Sequence, residues 1–440
     1  MVKMKRKRMA VYSVATIFVL MTLPSISAIE YNTTPKLKPR YWAIIIAPPG
    51  SADVNDLFVK DAKYLQDTLI HSGWNKRHIK SLLYEDATSS NFVNAIKWIA
   101  ANDAPSDTTL ICMIDHGFAG GFKTYSDCML YSDLDAELDK LDSGAIGIII
   151  DACYSGSAIP YLQQDGRVII TACRDDETAG SGLVRILCSG LIGFADKKEG
   201  VGNNNGAVSL EEAFDFYFSE GYDFNWFPQI QDNYEDELDV TFLDAGYDKI
   251  DQFPNFHCNG GHFVSVGMNS ECDDYQVSQS FRPTVNVLTK VLLMVDHYPQ
   301  IADFDVTVSI RKNLDGSDLT SVSVSASKLY EYSGYHVFDF QDIKVIENDT
   351  YYIVVRVLPG DPMHYSLAGR ADNSYERGEH LISSDYGQTW HINQFISDLF
   401  FATYGYNSGK AKAINTPILN FLKNHPNIFP LLQKLVQQLQ

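Results

Sequence analysis

The stretch Ile148-Ile149-Ile150-Asp151-Ala152-Cys153-Tyr154-Ser155-Gly156-Ser157-Ala158 opens on a β-branched run and closes on small residues. The run predicts a strand buried on both faces, as in a parallel sheet. Cys153 sits just past its end. A thiol at the exit of a buried strand, followed by residues that let other backbone come close, is how a nucleophile is presented to a substrate. The stretch Thr109-Leu110-Ile111-Cys112-Met113-Ile114-Asp115-His116-Gly117 has the same grammar, with Gly120 and Gly121 beyond it. If the two strands are neighbours, His116 and Cys153 emerge at one carboxyl edge, where open α/β sheets bind ligands.

The flanking chain fits such a sheet. Tyr41 to Ala47, Ile79 to Tyr84 and Arg167 to Ala172 read as strands. Val54 to Ser72, Ser89 to Ala101, Tyr131 to Leu141, Leu183 to Ala195 and Leu210 to Phe218 show helical spacing, and Gly221 to Asp244 reads as loop. Alternating strands and helices imply an α/β architecture, a doubly wound and largely parallel sheet with right-handed crossovers. Past Phe281-Arg282-Pro283 the pattern changes to short alternating runs separated by turn clusters, which predicts an all-β, jelly-roll-like sandwich. The expected organisation is therefore a targeting segment over 1–28, an α/β domain over 41–255 and a linker over 256–282. A sandwich over 283–405 and a helical tail over 412–440 complete it. The polar, aromatic hairpin Ser383 to Trp390 suits a carbohydrate or cell-surface ligand, or is part of an accessory fold.

A formal charge of −20 over 440 residues excludes the basic face that nucleic-acid binding needs. Lys3, Lys5, Arg6, Lys7 and Arg8 precede the apolar run Val11 to Leu23 and the small residues up to Ala28, as in a secretory signal. The run is short against the ~20 residues of a membrane span. A secreted or cell-surface protein is expected, with no span beyond this segment, a retained anchor being the alternative. Seven cysteines leave an odd one. Cys112, Cys128, Cys173 and Cys188 read as buried thiols. Cys258 and Cys272 read as a disulfide or, with His257 and His262, as a zinc site.

A thiol at neutral pH needs a base within reach, and His116 is the candidate. The amides of Gly117 and Cys153 are candidates for holding a tetrahedral oxyanion. Asp115-His116-Gly117 and Asp151-Ala152-Cys153-Tyr154-Ser155-Gly156-Ser157 resemble the two catalytic blocks of legumain-type (C13) cysteine peptidases, within the wider caspase, metacaspase and gingipain group, clan CD. The likeness runs from about 41 to 244, takes in Asp61-Ala62 and Arg167 to Thr178, and leaves the carboxyl-terminal half uncovered. It implies a caspase-like fold and an endopeptidase acting on protein or peptide substrates without a cofactor. Cys153 would form the thioacyl intermediate, with His116 as acid and base and Gly117 at the oxyanion.

By position, Asn55 matches a residue that orients the histidine in legumains, or it is an ordinary helix N-cap. Asp151 matches an acidic residue lining the S1 pocket, or it is a satisfied strand-end carboxylate. Where legumains carry a polar, basic pair that recognises asparagine, this chain has Leu57 and Phe58. The uncompensated carboxylate then points to Arg or Lys at P1, with Asp175, Asp176 and Asp232 as further candidates for that pocket. Asparagine specificity and acyl transfer to an amine are variants. Thr171-Ala172-Cys173-Arg174 resembles a caspase nucleophile signature only superficially, because Asp175 stands where Gly would follow, and Cys173 reads as structural. Asp133, Asp135, Glu137, Asp139 and Asp142 form a solvated helix face in this reading, calcium binding being the alternative. A reading from another class is a non-catalytic peptidase fold displaying its sandwich to a surface or carbohydrate. The two intact blocks argue against it.

Overall fold

The structure, a computed structural model, describes residues 40–49, 57–180, 182–219, 226–242, 249–252, 262–297, 304–329, 334–363, 365–371 and 375–408. The expected targeting segment, Asn55, His257, Cys258 and the expected helical tail lie outside the described residues.

Six strands build the first sheet: β1 (Tyr41–Ala47), β2 (Ile79–Leu83), β3 (Thr108–Ile114), β4 (Ala145–Asp151), β5 (Arg167–Thr171) and β6 (Gln229–Asp232). Their spatial order is β6-β5-β4-β3-β1-β2. β1 to β5 are mutually parallel and β6 closes one edge antiparallel. Period-two alternation sends Ala43, Ile45, Cys112, Ile114, Ile149 and Ile170 to one face, under α1 (Leu57–His71), α4 (Leu183–Ser189) and α5 (Leu210–Ser219). Ile44, Ile46, Ile111, Met113, Ile148 and Ile150 face the other way, under α2 (Ser89–Ala100) and α3 (Tyr131–Leu138). Both faces are therefore covered, which is why these strands read as apolar runs. α2 shows the local logic: the Thr88 side chain caps it by accepting from Asn91 N, and Phe92, Ala95, Ile96 and Ile99 form its buried stripe.

The carboxyl-terminal half is a sandwich of two antiparallel sheets. One holds Lys249–Gln252, His262–Met268, Val287–His297, Gly334–Lys344, Tyr365–Arg370 and Phe401–Tyr406. The other holds Asp274–Phe281, Asp305–Arg311, Asp318–Ser325, Tyr351–Arg356 and His380–Ser383. Val277, Val308 and Ile353 from the second sheet share a core with Val291, Leu293 and Phe338 from the first. The outer face of the first sheet is apolar too. Leu292, Ala402 and Tyr404 join the core of the α/β half, the Phe194 and Tyr335 rings meet edge to face at 4.7 Å, and Tyr404 donates to Ile192 O at 3.3 Å. Burial of each such aromatic contributes roughly 2 kcal/mol, so this seam binds the halves into one folded unit.

Four expectations change. The described part of the expected linker 256–282, from 262 on, is not a linker, because His262–Met268 and Asp274–Phe281 are sandwich strands and Lys249–Gln252 already pairs with the last one. Its polar look is misleading: Gln276, Ser278 and Gln279 are buried. Within 221–244, Gln229–Asp232 and Asp239–Phe242 are strands, the first an edge strand of mostly polar residues. The helix expected to end at Ala195 runs to Lys197 but is not regular: it widens over Gly190–Phe194 and kinks at Gly193, at φ 118°. Cys128 is exposed, since Cys128–Leu130 is an outer strand that turns only Met129 inward. No described helix is long and apolar enough to cross a membrane.

Candidate active site

β3 and β4 run side by side in register, with Ile114 opposite Asp151. Asp115-His116-Gly117 and Ala152-Cys153-Tyr154 therefore leave the sheet at the same edge. The two exits touch: a Cβ on Gly117 would collide with Cys153 O, so only glycine lets that backbone lie on the cysteine turn. Gly156 plays a similar part on the other side, where a Cβ would come within 2.7 Å of Asp175 N. Tyr154 adopts a left-handed conformation (φ 57°), a local strain of the kind that clusters at functional sites.

His116 is exposed, and its ring meets the buried Phe58 of α1 edge to face at 5.5 Å. Cys153 is half-buried and donates its S–H to Ala179 O at 3.4 Å. No hydrogen bond joins the imidazole to the sulfur, a looseness common in sites without substrate. Among the described residues the Cys153 amide has no backbone acceptor, so it is open to a ligand oxygen. The segment 177–180 lies over this turn, with Tyr154 N donating to Glu177 O at 2.8 Å.

Two carboxyl groups sit just under the edge. Asp115 accepts from His116 N at 2.6 Å, and burial pushes it up to about 7. Asp151 is 3% exposed. Its Oδ2 accepts from Gly182 N (3.3 Å) and Val184 N (3.1 Å), while Oδ1 accepts no hydrogen bond from the described residues. Burial, then the Asp61 charge, raises it to about 7.

Of the other predicted site residues, Asp175 and Asp176 are exposed on the loop after β5, with the backbone of Asp175 beside Gly156. Asp232 is not brought to the site. It pairs with Val168, three residues and roughly 10 Å below the Thr171 end of β5, where Gln229 stands instead. Cys173 is buried beside the turn and donates to Glu177 O at 3.2 Å. The acidic run is only partly a solvated face, because Asp135 and Asp139 take the buried Arg167 at 2.6 and 2.8 Å. Cys272 is an exposed thiol without a disulfide. No cluster of three His, Cys, Asp or Glu side chains among the described residues could hold a metal. Sequence reasoning missed Phe58 as a neighbour of the imidazole, and Ala179 and Glu177, which act through backbone carbonyls and leave no side-chain signal.

A five-stranded parallel core with one antiparallel edge thus brings a thiol and an imidazole to adjoining strand exits, the pair of groups that nucleophilic catalysis by a cysteine needs. Residues 93–253 match the model of the Peptidase C13 family, so this part of the chain is similar to those cysteine peptidases. No curated protein matches the chain. Among solved structures, caspase-1 from Spodoptera frugiperda aligns at 14% identity and a TM-score of 0.36, covering 47% of this chain and 92% of that one.

Proposed function

We propose that the chain is an exported cysteine endopeptidase that cleaves after Arg or Lys, with Cys153 as nucleophile and His116 as acid and base. The observation that carries this reading is the contact of the two strand exits, Gly117 on Cys153. His116 takes the thiol proton, and sulfur attacks the scissile carbonyl carbon. The Gly117 and Cys153 amides receive the oxyanion. As the tetrahedral adduct collapses, the C–N bond breaks and His116 returns the proton to the leaving amine. Water, deprotonated by His116, then attacks the thioester and releases Cys153.

Asp151 favours a cationic P1 side chain, since one of its oxygens is held by two amides and the other has no partner among the described residues. The apolar pair Leu57 and Phe58 offers nothing to bind an asparagine amide. Export is supported by the basic and apolar order of residues 3–28.

The test is turnover of P1-Arg, P1-Lys, P1-Asn and P1-Asp reporter peptides by the full chain beside Cys153→Ala, with and without calcium. Turnover of the first two by the wild type alone supports the proposal. Absence of any Cys153-dependent turnover overturns it, and a preference for P1-Asn overturns the specificity.

A further inference from the structure

Residues 173–180, after β5, lie against the cysteine turn. Gly156 N donates to Cys173 O at 2.9 Å, Tyr154 N to Glu177 O at 2.8 Å, and Cys153 Sγ to Ala179 O at 3.4 Å. This segment is fixed at one end by β5. At the other end it runs into α4, whose Leu183, Val184, Leu187 and Cys188 are buried in the core shared with α1, and α4 also makes two polar contacts near the turn. One is the Asp151 carboxylate on Gly182 N and Val184 N. The other is Arg185, whose Nε and Nη2 donate to Asp61 Oδ1 (3.0 Å) and Oδ2 (3.3 Å).

Asp61 is fully buried on α1, one turn after Phe58, the residue whose ring meets His116. A single helix thus touches the imidazole directly and the cysteine side through an ion pair. Burying a carboxylate is costly, and an apolar pair of similar volume commonly serves stability as well. A two-pronged guanidinium–carboxylate contact does supply what an apolar contact lacks, a fixed distance and orientation.

We propose that Asp61 and Arg185 are positioning residues for the peptidase reaction, their ion pair holding α4 and the segment 177–180 in place against the Cys153 turn. Neither touches the reacting atoms. The proposal rests on Cys153 being the nucleophile, and its mode of action is geometric: misplacement by about 1 Å can cost ~100-fold in rate.

The full chain is tested as Asp61→Asn, Arg185→Met and Arg185→Lys, with melting temperature measured beside kinetics on a P1-Arg reporter. Arg185→Met should lower kcat by about 10- to 100-fold with KM within about threefold. Arg185→Lys, which keeps the charge but loses the fork, should recover part of that loss.

The acid limb of kcat/KM gives a readout that a merely structural role would not move. Asp151 faces Asp61 on α1, Arg185 on α4, Tyr217 on α5 and Cys112 on β3. Asp61→Asn removes a repelling charge and should shift the limb to lower pH. Arg185→Met removes an attracting one and should shift it higher. Lower melting temperatures with kcat and the limb unchanged would overturn the proposal. Iodoacetamide alkylation of Cys153, followed on its own peptide by mass spectrometry, needs no turnover. A wild type that does not turn over defeats the peptidase reading alone, and the pair then stands or falls on this rate. Equal rates in wild type and Arg185→Met overturn it, and a changed rate supports it.

Discussion

The two ends of the six-stranded sheet treat the charged residues at the strand ends themselves in opposite ways. At the amino end, Arg167 opens β5 and donates to Asp135, Asp139 and Leu162 O, while Asp107, just before β3, takes Arg40 and Trp42 Nε1 at 2.8 and 3.0 Å. Charge meets charge there. At the carboxyl end, Asp115 and Asp151 accept hydrogen bonds only from backbone amides among the described residues, and burial holds both near 7. One end is closed electrostatically. The other keeps groups that change protonation near neutrality, which is the condition chemistry needs.

The sharpest way to break this contrast is a pair of substitutions. Cys153→Ala should lower kcat/KM by about 10³-fold or more with the melting temperature nearly unchanged. Arg167→Met should destabilise by about 2 kcal/mol, because Leu162 O and two carboxylates lose a charged donor, and should leave kcat/KM of the folded fraction intact. Thermal unfolding and steady-state rates at 20 °C below the melting point separate the two. Loss of turnover in folded Arg167→Met would show that both ends serve the reaction.

A finer test is Asp151→Asn. A charge-assisted contact to a P1 cation contributes about 1.5–3 kcal/mol, so kcat/KM on P1-Arg peptides should fall about 10- to 100-fold. The ratio of P1-Arg to P1-Asn turnover should fall with it. An unchanged ratio would assign Asp151 to holding α4 alone.

How much of this could be read from sequence depends on whether the determining contacts are local. The strand exits were legible because a β-branched run followed by glycine and small residues is itself the cause of the geometry at His116 and Cys153. The Asp61–Arg185 pair was not, since its partners stand 124 positions apart with nothing periodic between them. The sandwich boundary was misplaced for another reason: Gln276, Ser278 and Gln279 are polar yet buried, so no alternation marked their strand. In the hairpin 383–390, polar side chains suggested a ligand face, but they bind each other. Asp385 accepts from the Thr389 hydroxyl, Thr389 N and Ser383 Oγ, contacts that bring its carboxyl down to about 2. A turn that uses its own polar atoms explains that composition without a ligand.

The smallest expected effect is a difference in how stability depends on pH at the two ends. Asp115 and Asp151 are raised in the folded state above the ordinary carboxylate value near 4. The folded protein therefore binds more protons than the unfolded chain between about pH 4 and 7. The stability this gives is complete below about pH 4 and is lost as pH rises through 7. Asp107 has the opposite sign: burial alone would raise it, but hydrogen bonds from Trp42 and Arg40 outweigh that and hold it low. Its contribution is present above about pH 4 and disappears only as pH falls below that. Asp151→Asn should then melt about 3 °C higher than wild type at pH 8, with the gain shrinking by pH 5.5. Asp107→Asn should melt lower than wild type by the same margin at both values. Calorimetry at the two pH values checks both at once, and a gain for Asp151→Asn that does not depend on pH would mean that its carboxyl does not titrate in this range.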